Sequence, residues 1–432
     1  MTDQPPPAAD DLGHEPVSSA DDTVASGVSP STFRERQWWG LFLYALPVYL
    51  VSRLCVIAGA AVVAAELRVD ANIASDLGTA GDPHGRDDAA TSALGPIVDV
   101  MTSWDGLWYL DIVRDGYPRS IPDPVSYYID EARAAFFPLF PMLVRGLDAV
   151  LPGGDTLAAL ALNAVLGLVA IVLIGLLAQR LYGQATARRT IVLASFFPGS
   201  FVLSFAYSEA LMLVLSAACL LMLLDREWTA AGVFAALATA TRPNALALVA
   251  ACAWAAGVAI HRRREWRSLT AVALAPVGFI TFQVWLGEHT GERRAWFRVQ
   301  RQAWEESASF GWTAVKNTVE AVTHPLTSPT DTITALSVVA TVVLVVLAWK
   351  VRLDWTLTVY SWVVLALMLT PATVTARPRF MFTAFPLLIA ASYWYETRRL
   401  RDDGLVWLLT ISCCAAGLAT LTGLYGVFGA IP

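Results

Sequence analysis

Polar and apolar positions in this chain separate into long blocks. Continuous apolar runs of roughly 17–25 residues recur from residue 39 onward, each long enough to cross a hydrocarbon layer about 30 Å thick as a helix. Short segments of alternating hydrophobicity, the mark of a membrane barrel, are not seen. The blocks predict an all-α polytopic membrane protein of about eleven transmembrane helices, at 39–65, 157–181, 190–206, 209–224, 229–242, 243–260, 269–287, 333–350, 355–374, 380–396 and 405–428. The 229–242 block gives only about 21 Å of helix, and Pro243 makes it a candidate half-span.

Two long polar stretches interrupt the pattern. The first, 66–156, carries fifteen Asp or Glu; the second, 288–332, carries Trp and Arg residues between Arg293 and Trp312. Inside the first, 135–145 is apolar but too short and too broken by Pro138 and Pro141 to span, so it reads as a helix lying in the interface. Residues 1–34, rich in Pro, Asp, Ser and Ala and without periodicity, are expected to form a disordered tail, which leaves 35–432 as the transmembrane domain. No signal-peptide pattern precedes the first span, which is therefore expected to stay as an uncleaved anchor.

Charge orients the bundle. Arg34 and Arg36 precede the first span. The short loops with Arg188 and Arg189, with Arg262, Arg263, Arg264 and Arg267, with Lys350 and Arg352, and with Arg398, Arg399 and Arg401 all fall on the same side of the alternation. The positive-inside rule makes that side, and the N-terminus, cytoplasmic, and puts 66–156 and 288–332 outside. Of 432 residues, 15% are charged, well below the roughly 25% of soluble proteins. The net charge of −6 argues against nucleic acid as a partner; membrane lipids are the expected surroundings. All five cysteines fall inside apolar runs with no metal-ligand spacing, so they read as small packing residues.

The candidate chemistry concentrates in residues 103–117, where Trp, Tyr and Asp crowd together beside a bilayer. Aromatic residues with polar tips favour that level. Ser103 can cap a helix that starts at Trp104 and ends at Gly116, which places Asp105, Trp108, Tyr109 and Ile112 on one face. Asp105 is then a candidate general base; it can equally be an acid that favours the helix dipole. Asp111 and Asp115 read as solvated helix faces. Glu131 is either a second carboxylate, able with Asp105 to hold a divalent cation such as Mg or Mn, or a solvated loop acid beside Asp130. Glu209, at the membrane edge, is either functional or simply the first turn of a helix capped by Ser208. Arg242 lies in an apolar region next to helix-breaking Pro243. It calls for an anion: a substrate phosphate, which suits a guanidinium fork, or an internal salt bridge to Glu209. Arg53, Arg377 and Arg379 raise the same phosphate-binding possibility, although edge arginines such as Arg377 and Arg379 often snorkel to the surface.

Taken in order, these pieces resemble the PIG-V family, the second mannosyltransferase of GPI-anchor synthesis with its bacterial relatives, within the GT-C superfamily. The matching pieces are Ser52, Arg53 and Leu54; Trp104 and Asp105 followed by Tyr109, Leu110, Gly116 and Tyr117; Glu131 and the apolar run 135–141; Asn163; Phe197 to Ser200 with Ala206 to Glu209; Ala240 to Asn244; and a fainter echo at Arg379 and Phe380. They cover roughly residues 50–245. The chain departs from the family at Pro243, where eukaryotic members carry Ser. The resemblance implies a GT-C-like fold and transfer of a hexose, mannose in most members, from a polyprenyl-phosphate donor to a glycolipid or glycan acceptor. The transfer would invert the sugar and occur on the non-cytoplasmic face of a bacterial plasma membrane. It implies Asp105 as the catalytic acid of the first outer loop, and makes Trp104, Trp108, Tyr109, Glu131, Tyr207, Glu209 and Asn244 candidates for holding donor or acceptor. The competing readings are a transporter or flippase of a lipid-linked or small polar substrate, and a non-catalytic assembly subunit. Transporters tend to show matched broken helices in two repeats; one break, at 242–244, and no partner for it are visible.

Overall fold

The computed structural model describes residues 30–76, 95–325, 327–373, 375–398 and 403–426. The expected tail lies outside them except for 30–34, and so does 77–94 of the first outer loop. The chain divides into two units, Met1–Gly40 and Leu41–Pro432. Of the first, only the opening turns of α1 are described. The second carries everything that follows.

The helices are α1 (Pro30–Asp76), α2 (Gly95–Thr102), α3 (Asp105–Asp115), α4 (Leu139–Asp148), α5 (Gly154–Tyr182), α6 (Gln184–Phe196), α7 (Glu209–Asp225), α8 (Trp228–Thr239) and α9 (Ala247–Arg263). They continue as α10 (Leu269–Leu274), α11 (Val277–Thr290), α12 (Ala295–Gln302), α13 (Trp312–Thr323), α14 (Pro329–Val351), α15 (Trp355–Leu369), α16 (Pro378–Thr383), α17 (Pro386–Thr397) and α18 (Asp403–Gly426). Among the described residues there is no strand, only a bridge between Ala308 and Pro371. Among the described residues six helical stretches are long and apolar enough to cross a membrane: Trp38–Glu66, Gly154–Tyr182, Pro243–Arg263, Trp266–Thr290, Pro329–Val351 and Gly404–Gly426. Trp228–Thr239 and Trp355–Leu369 are shorter apolar helices. The protein is an all-α polytopic membrane protein.

Helix lies within every predicted span, but prolines shorten or split several of them. The 190–206 block is α6 followed by a 3-10 turn, Pro198–Leu203. The 269–287 block breaks at Pro276 into α10 and α11, and 380–396 breaks at Pro386 into α16 and α17. The weak 229–242 block is α8, which stops at Thr239, and Pro243 opens a 3-10 turn before α9. The interfacial helix begins later than expected. A 3-10 turn, Asp130–Ala135, and extended Phe136 precede α4, whose Pro138 sits at the cap. Helix α4 buries Phe140, Pro141 and Val144 and leaves Met142 and Leu143 exposed.

Helix α7 is buried nearly all round, as an all-apolar helix at the centre of a bundle should be. It packs on α5 and α8. Small residues allow the closest approaches, as in membrane interfaces generally. At Gly278 of α11 a Cβ would overlap the Ala236 carbonyl of α8, and at Gly199 it would overlap the Pro378 carbonyl at the start of α16. Cys219 and Cys252 lie side by side, buried and unbridged, in keeping with packing roles.

Candidate active site

Asp105 is aimed by a sharp turn. The Thr102 and Ser103 hydroxyls donate back to the carbonyls of Val98 (3.0 Å) and Val100 (2.8 Å). Ser103 is therefore not a cap, and α3 starts at Asp105, one residue later than expected. Trp104 is held at φ 59°, a backbone region that costs a non-glycine residue about 1–3 kcal/mol. Its indole N–H donates to the Tyr425 carbonyl of α18 at 2.9 Å, which ties the turn down. Gly116 closes α3 as expected, at φ 74° with its N–H on the Ile112 carbonyl.

Three further charged side chains meet Asp105. Glu209 opens α7. Ser208 does not cap that helix; its hydroxyl instead pairs with the Tyr109 phenol at 2.7 Å. Arg242 is extended, at φ −158° and ψ 150°, because Pro243 forbids helix at the residue before it. Arg379 sits in the first turn of α16 behind Pro378. Arg379 Nη1 donates to Asp105 Oδ2 at 2.7 Å and lies 3.7 Å from Glu209 Oε1. Arg242 Nη1 lies 2.7 Å from Glu209 Oε2, and Nη2 lies 3.6 Å from Asp105 Oδ2. Two carboxylates face two guanidiniums, so the cluster is formally neutral. Glu209 is fully buried, while Asp105 keeps 15% of its side chain exposed. The Phe380 ring lies 4.7 Å from the Arg379 guanidinium and 6.0 Å from that of Arg242, and the Tyr207 ring lies 5.6 Å from Arg379. Such contacts favour a cation over the aromatic face.

The cluster opens on a cavity of about 470 Å³. Asp105, Arg242 and Arg379 line it together with Trp104, Trp108, Tyr109 and Asn244. Burial pushes the Tyr109 phenol up, further than the neighbouring Arg242 pulls it down, so it is neutral at physiological pH. Burial is also the first cause that raises the Tyr127 phenol, with the negative charge of Asp105 adding to it. Asp111, expected to be a solvated acid, is half-buried, and burial raises its carboxyl despite Arg114 and Arg133 nearby.

The predicted residues divide cleanly. Tyr207 and Glu209 stand directly behind the lining residues. The salt bridge expected as one option for Arg242 is present, and the same guanidinium also faces the cavity. Arg379 does not snorkel; it is buried at the centre of the cluster. Arg53 and Arg377 are not brought to the cavity. Arg53 spends its N–H groups on the carbonyls of Ser195 (2.8 Å) and Ser200 (2.6 Å) and on the hydroxyls of Ser52, Ser200 and Ser204, holding the 198–203 turn. Arg377 is buried against Thr330 and Thr334. Asn163 braces the site from behind by donating to the carbonyls of Phe205 and Tyr207. Glu131 lies in the 130–135 turn and does not line the cavity. Among the described residues no three His, Cys, Asp or Glu side chains gather into a set that would hold a metal ion. Asp105 is already bracketed by guanidiniums, so these residues do not fit a divalent cation.

Sequence reasoning missed Tyr127, Trp304 and Gln300 as lining residues and Phe380 as the ring beneath both arginines. Trp304 falls in the aromatic stretch 293–312, which was the available signal; Tyr127 had none beyond its neighbour Tyr128.

No protein-family model matches the chain, and no curated protein matches it. Among solved structures it is similar to ArnT from Cupriavidus metallidurans in the apo state, at 13% identity and TM-score 0.47, over 76% of this chain and 72% of that one. It is also similar to ArnT bound to undecaprenyl phosphate, at 12% identity and TM-score 0.45, over 78% of each chain. Scores and identities of this size carry neither fold family nor function across. The family resemblance stated above rests on its ordered sequence motifs alone.

Proposed function

We propose that this protein is a GT-C-like membrane glycosyltransferase that moves a hexose, mannose by the family resemblance, from a polyprenyl-phosphate donor to a lipid- or glycan-linked acceptor, inverting the sugar. The observation that carries the reading is the neutral cluster of Asp105, Glu209, Arg242 and Arg379 at the wall of an aromatic cavity in a membrane protein. The site belongs on the face opposite the basic loops, outside the cell. Glu209 opens α7, Arg242 follows α8 and Arg379 opens α16, whereas Arg188 and Arg189, Arg262 to Arg264 and Arg352 flank the other ends of the bundle's helices. Helix α8, with twelve residues, rises only about 18 Å, short of a hydrocarbon layer about 30 Å thick. Arg242 therefore sits below the outer surface, where a lipid-borne phosphate can reach it.

The chemistry balances. The acceptor hydroxyl attacks the anomeric carbon of the donor, the bond from that carbon to the phosphate oxygen breaks, and the hydroxyl proton passes to Asp105. The donor enters as a phosphodiester with one negative charge and leaves as a phosphomonoester with two. Protonation of Asp105 removes one negative charge from the cluster in the same step. Arg379 is thereby released from its 2.7 Å partner just as the leaving phosphate needs a cation. Arg242 and Arg379 stabilise that developing charge, and the anomeric carbon passes through oxocarbenium character as in other glycosyl chemistry.

The test is reconstitution in liposomes with polyprenyl-phosphate mannose or GDP-mannose as donor. Transfer should require the lipid-linked donor. Transfer from GDP-mannose with no polyprenyl phosphate present would overturn the proposal.

A further inference from the structure

A second group of side chains lining the same cavity is built differently from the arginine cluster. Trp108 of α3, Tyr127 of the first outer loop and Trp304, just after α12, meet there. Their ring centroids lie 5.5 Å (Trp108–Tyr127), 5.5 Å (Tyr127–Trp304) and 6.1 Å (Trp108–Trp304) apart, at interplanar angles of 82°, 77° and 61°. The planes meet steeply, so they form a corner, not a stack. Phe136 packs on both indoles from the chain behind. Gln300, Glu305 and Glu306 line the same cavity. The two outer segments, far apart in the chain, thus supply aromatic plates and hydrogen-bond acceptors to one cavity.

We infer that this corner, built by Trp108, Tyr127 and Trp304 with Gln300, Glu305 and Glu306, is a subsite for a neutral pyranose ring, the acceptor sugar of the transfer proposed above. A pyranose has an apolar C–H face and a rim of hydroxyls. The face suits an aromatic plate, and the rim suits amide and carboxylate oxygens, the mix expected of a cavity that orients a small polar ligand. An alkyl chain would take the Gln300 amide and the Glu305 carboxylate out of water at a cost. An anion would be drawn to Arg242 and Arg379 and repelled from Glu305 and Glu306. The lining therefore offers two chemistries, phosphate at the arginines and sugar at the aromatic corner, with Asp105 in the same cavity. Asp105 lines the same cavity as Tyr127 and Trp304, so the carboxylate that must take the proton shares a cavity with the ring seated on them. The inference rests on the transferase reading for the ring's role, but not for its binding.

Binding is tested without turnover by saturation-transfer-difference NMR of detergent-purified protein with methyl α-D-mannopyranoside. Wild type should saturate the C–H face of the ring. Trp304→Ala and Tyr127→Ala should each weaken binding about tenfold, the scale of one lost aromatic contact of about 1.4 kcal/mol. Trp304→Phe, which keeps an aromatic face, should restore most of it and shows that the loop still folds. Methyl 2-amino-2-deoxy-α-D-mannopyranoside, whose ammonium meets Glu305 and Glu306, should bind as well or better, and its binding should weaken equally in Trp304→Ala. In the transfer assay Trp304→Ala should raise the acceptor KM and leave the donor KM unchanged. Pyranoside binding that persists in both alanine variants, or binding confined to the amino sugar, would overturn the subsite. Absence of transfer from any donor, with ring binding intact and dependent on Trp304, would overturn the transferase reading and leave the subsite standing.

Discussion

Replacing Glu209 by Gln removes one charge from the most buried member of the cluster and changes little else in size. Its carboxylate faces Arg242 at 2.7 Å and Arg379 at 3.7 Å, so the variant leaves two guanidiniums with only Asp105 between them. A unit charge pair at about 4 Å with an effective dielectric near 20 amounts to about 4 kcal/mol, and breaking buried pairs from one side typically costs about 3–5 kcal/mol. At 2–4 °C or somewhat less per kcal/mol for a chain this large, the thermal midpoint in detergent should fall by about 5–10 °C. A bound anion replaces the missing charge. Polyprenyl phosphate should therefore raise the midpoint of the variant more than that of wild type. In transfer assays the donor KM should fall, because the phosphate meets an excess of cation. The kcat should fall too, because both arginines are drawn onto Asp105 and answer the leaving phosphate less readily. The reasoning fails if the midpoint is unchanged, or if polyprenyl phosphate stabilises both proteins equally.

Asp105→Asn keeps shape but cannot take the proton; turnover with saturating donor should fall by about two to four orders of magnitude, and a near-wild-type rate would move the base elsewhere. Asp111 is the control on the same helix. Its folded-state carboxyl is raised by burial, so its contribution to stability is fully present below the unfolded pKa and is lost as pH rises through the folded one. Asp111→Asn should therefore be as thermostable as wild type or more so at pH 7, with the advantage gone in acid and activity kept; a lower midpoint at pH 7 would contradict the sign. Gly199→Ala puts a Cβ into the Pro378 carbonyl, which should cost about 1–3 kcal/mol and lower kcat by shifting Arg379, whereas Gly257→Ala, which has open space, should do neither. For orientation, Tyr128→Cys should label with an impermeant maleimide from outside intact cells and Arg263→Cys should not; the reverse pattern would invert the topology.

The apolar blocks made the spans legible because a bilayer demands continuous runs, and helix appears wherever a block predicts it. Their breaks were only partly legible. Pro243 was visible as a break, but the ends of α6 at Phe196 and of α10 at Leu274 depend on how the 3-10 turn and Pro276 pack. At the site, Asp105 and Arg242 stood out through the aromatic and proline residues beside them. Arg379 looked like any edge arginine, since its burial comes from partners far away in the chain. Arg53 and Arg377 carried the same signal as Arg242 and turned out to hold carbonyls and hydroxyls. One sequence cannot separate a guanidinium that meets backbone from one that meets a carboxylate. Tyr127 and Trp304 were hidden for the same reason: the corner exists only when two outer segments fold onto one cavity.

The way the cluster is divided along the chain has a consequence for its biogenesis. Glu209 opens α7 and Arg242 follows α8, so both come from one hairpin and can enter the membrane as a neutral couple while later segments are still on the ribosome. Asp105 waits for Arg379, 274 positions further on, and the strained turn at Trp104 waits longer still for the Tyr425 carbonyl, 321 positions away. The Glu209–Arg242 couple is thus balanced as it enters, since an unpaired ionised side chain in the membrane is costly. A half-inserted chain, however, has a carboxylate with no arginine against it and a turn with no tether. The cluster and its turn therefore stay incomplete until α16 and α18 are in place.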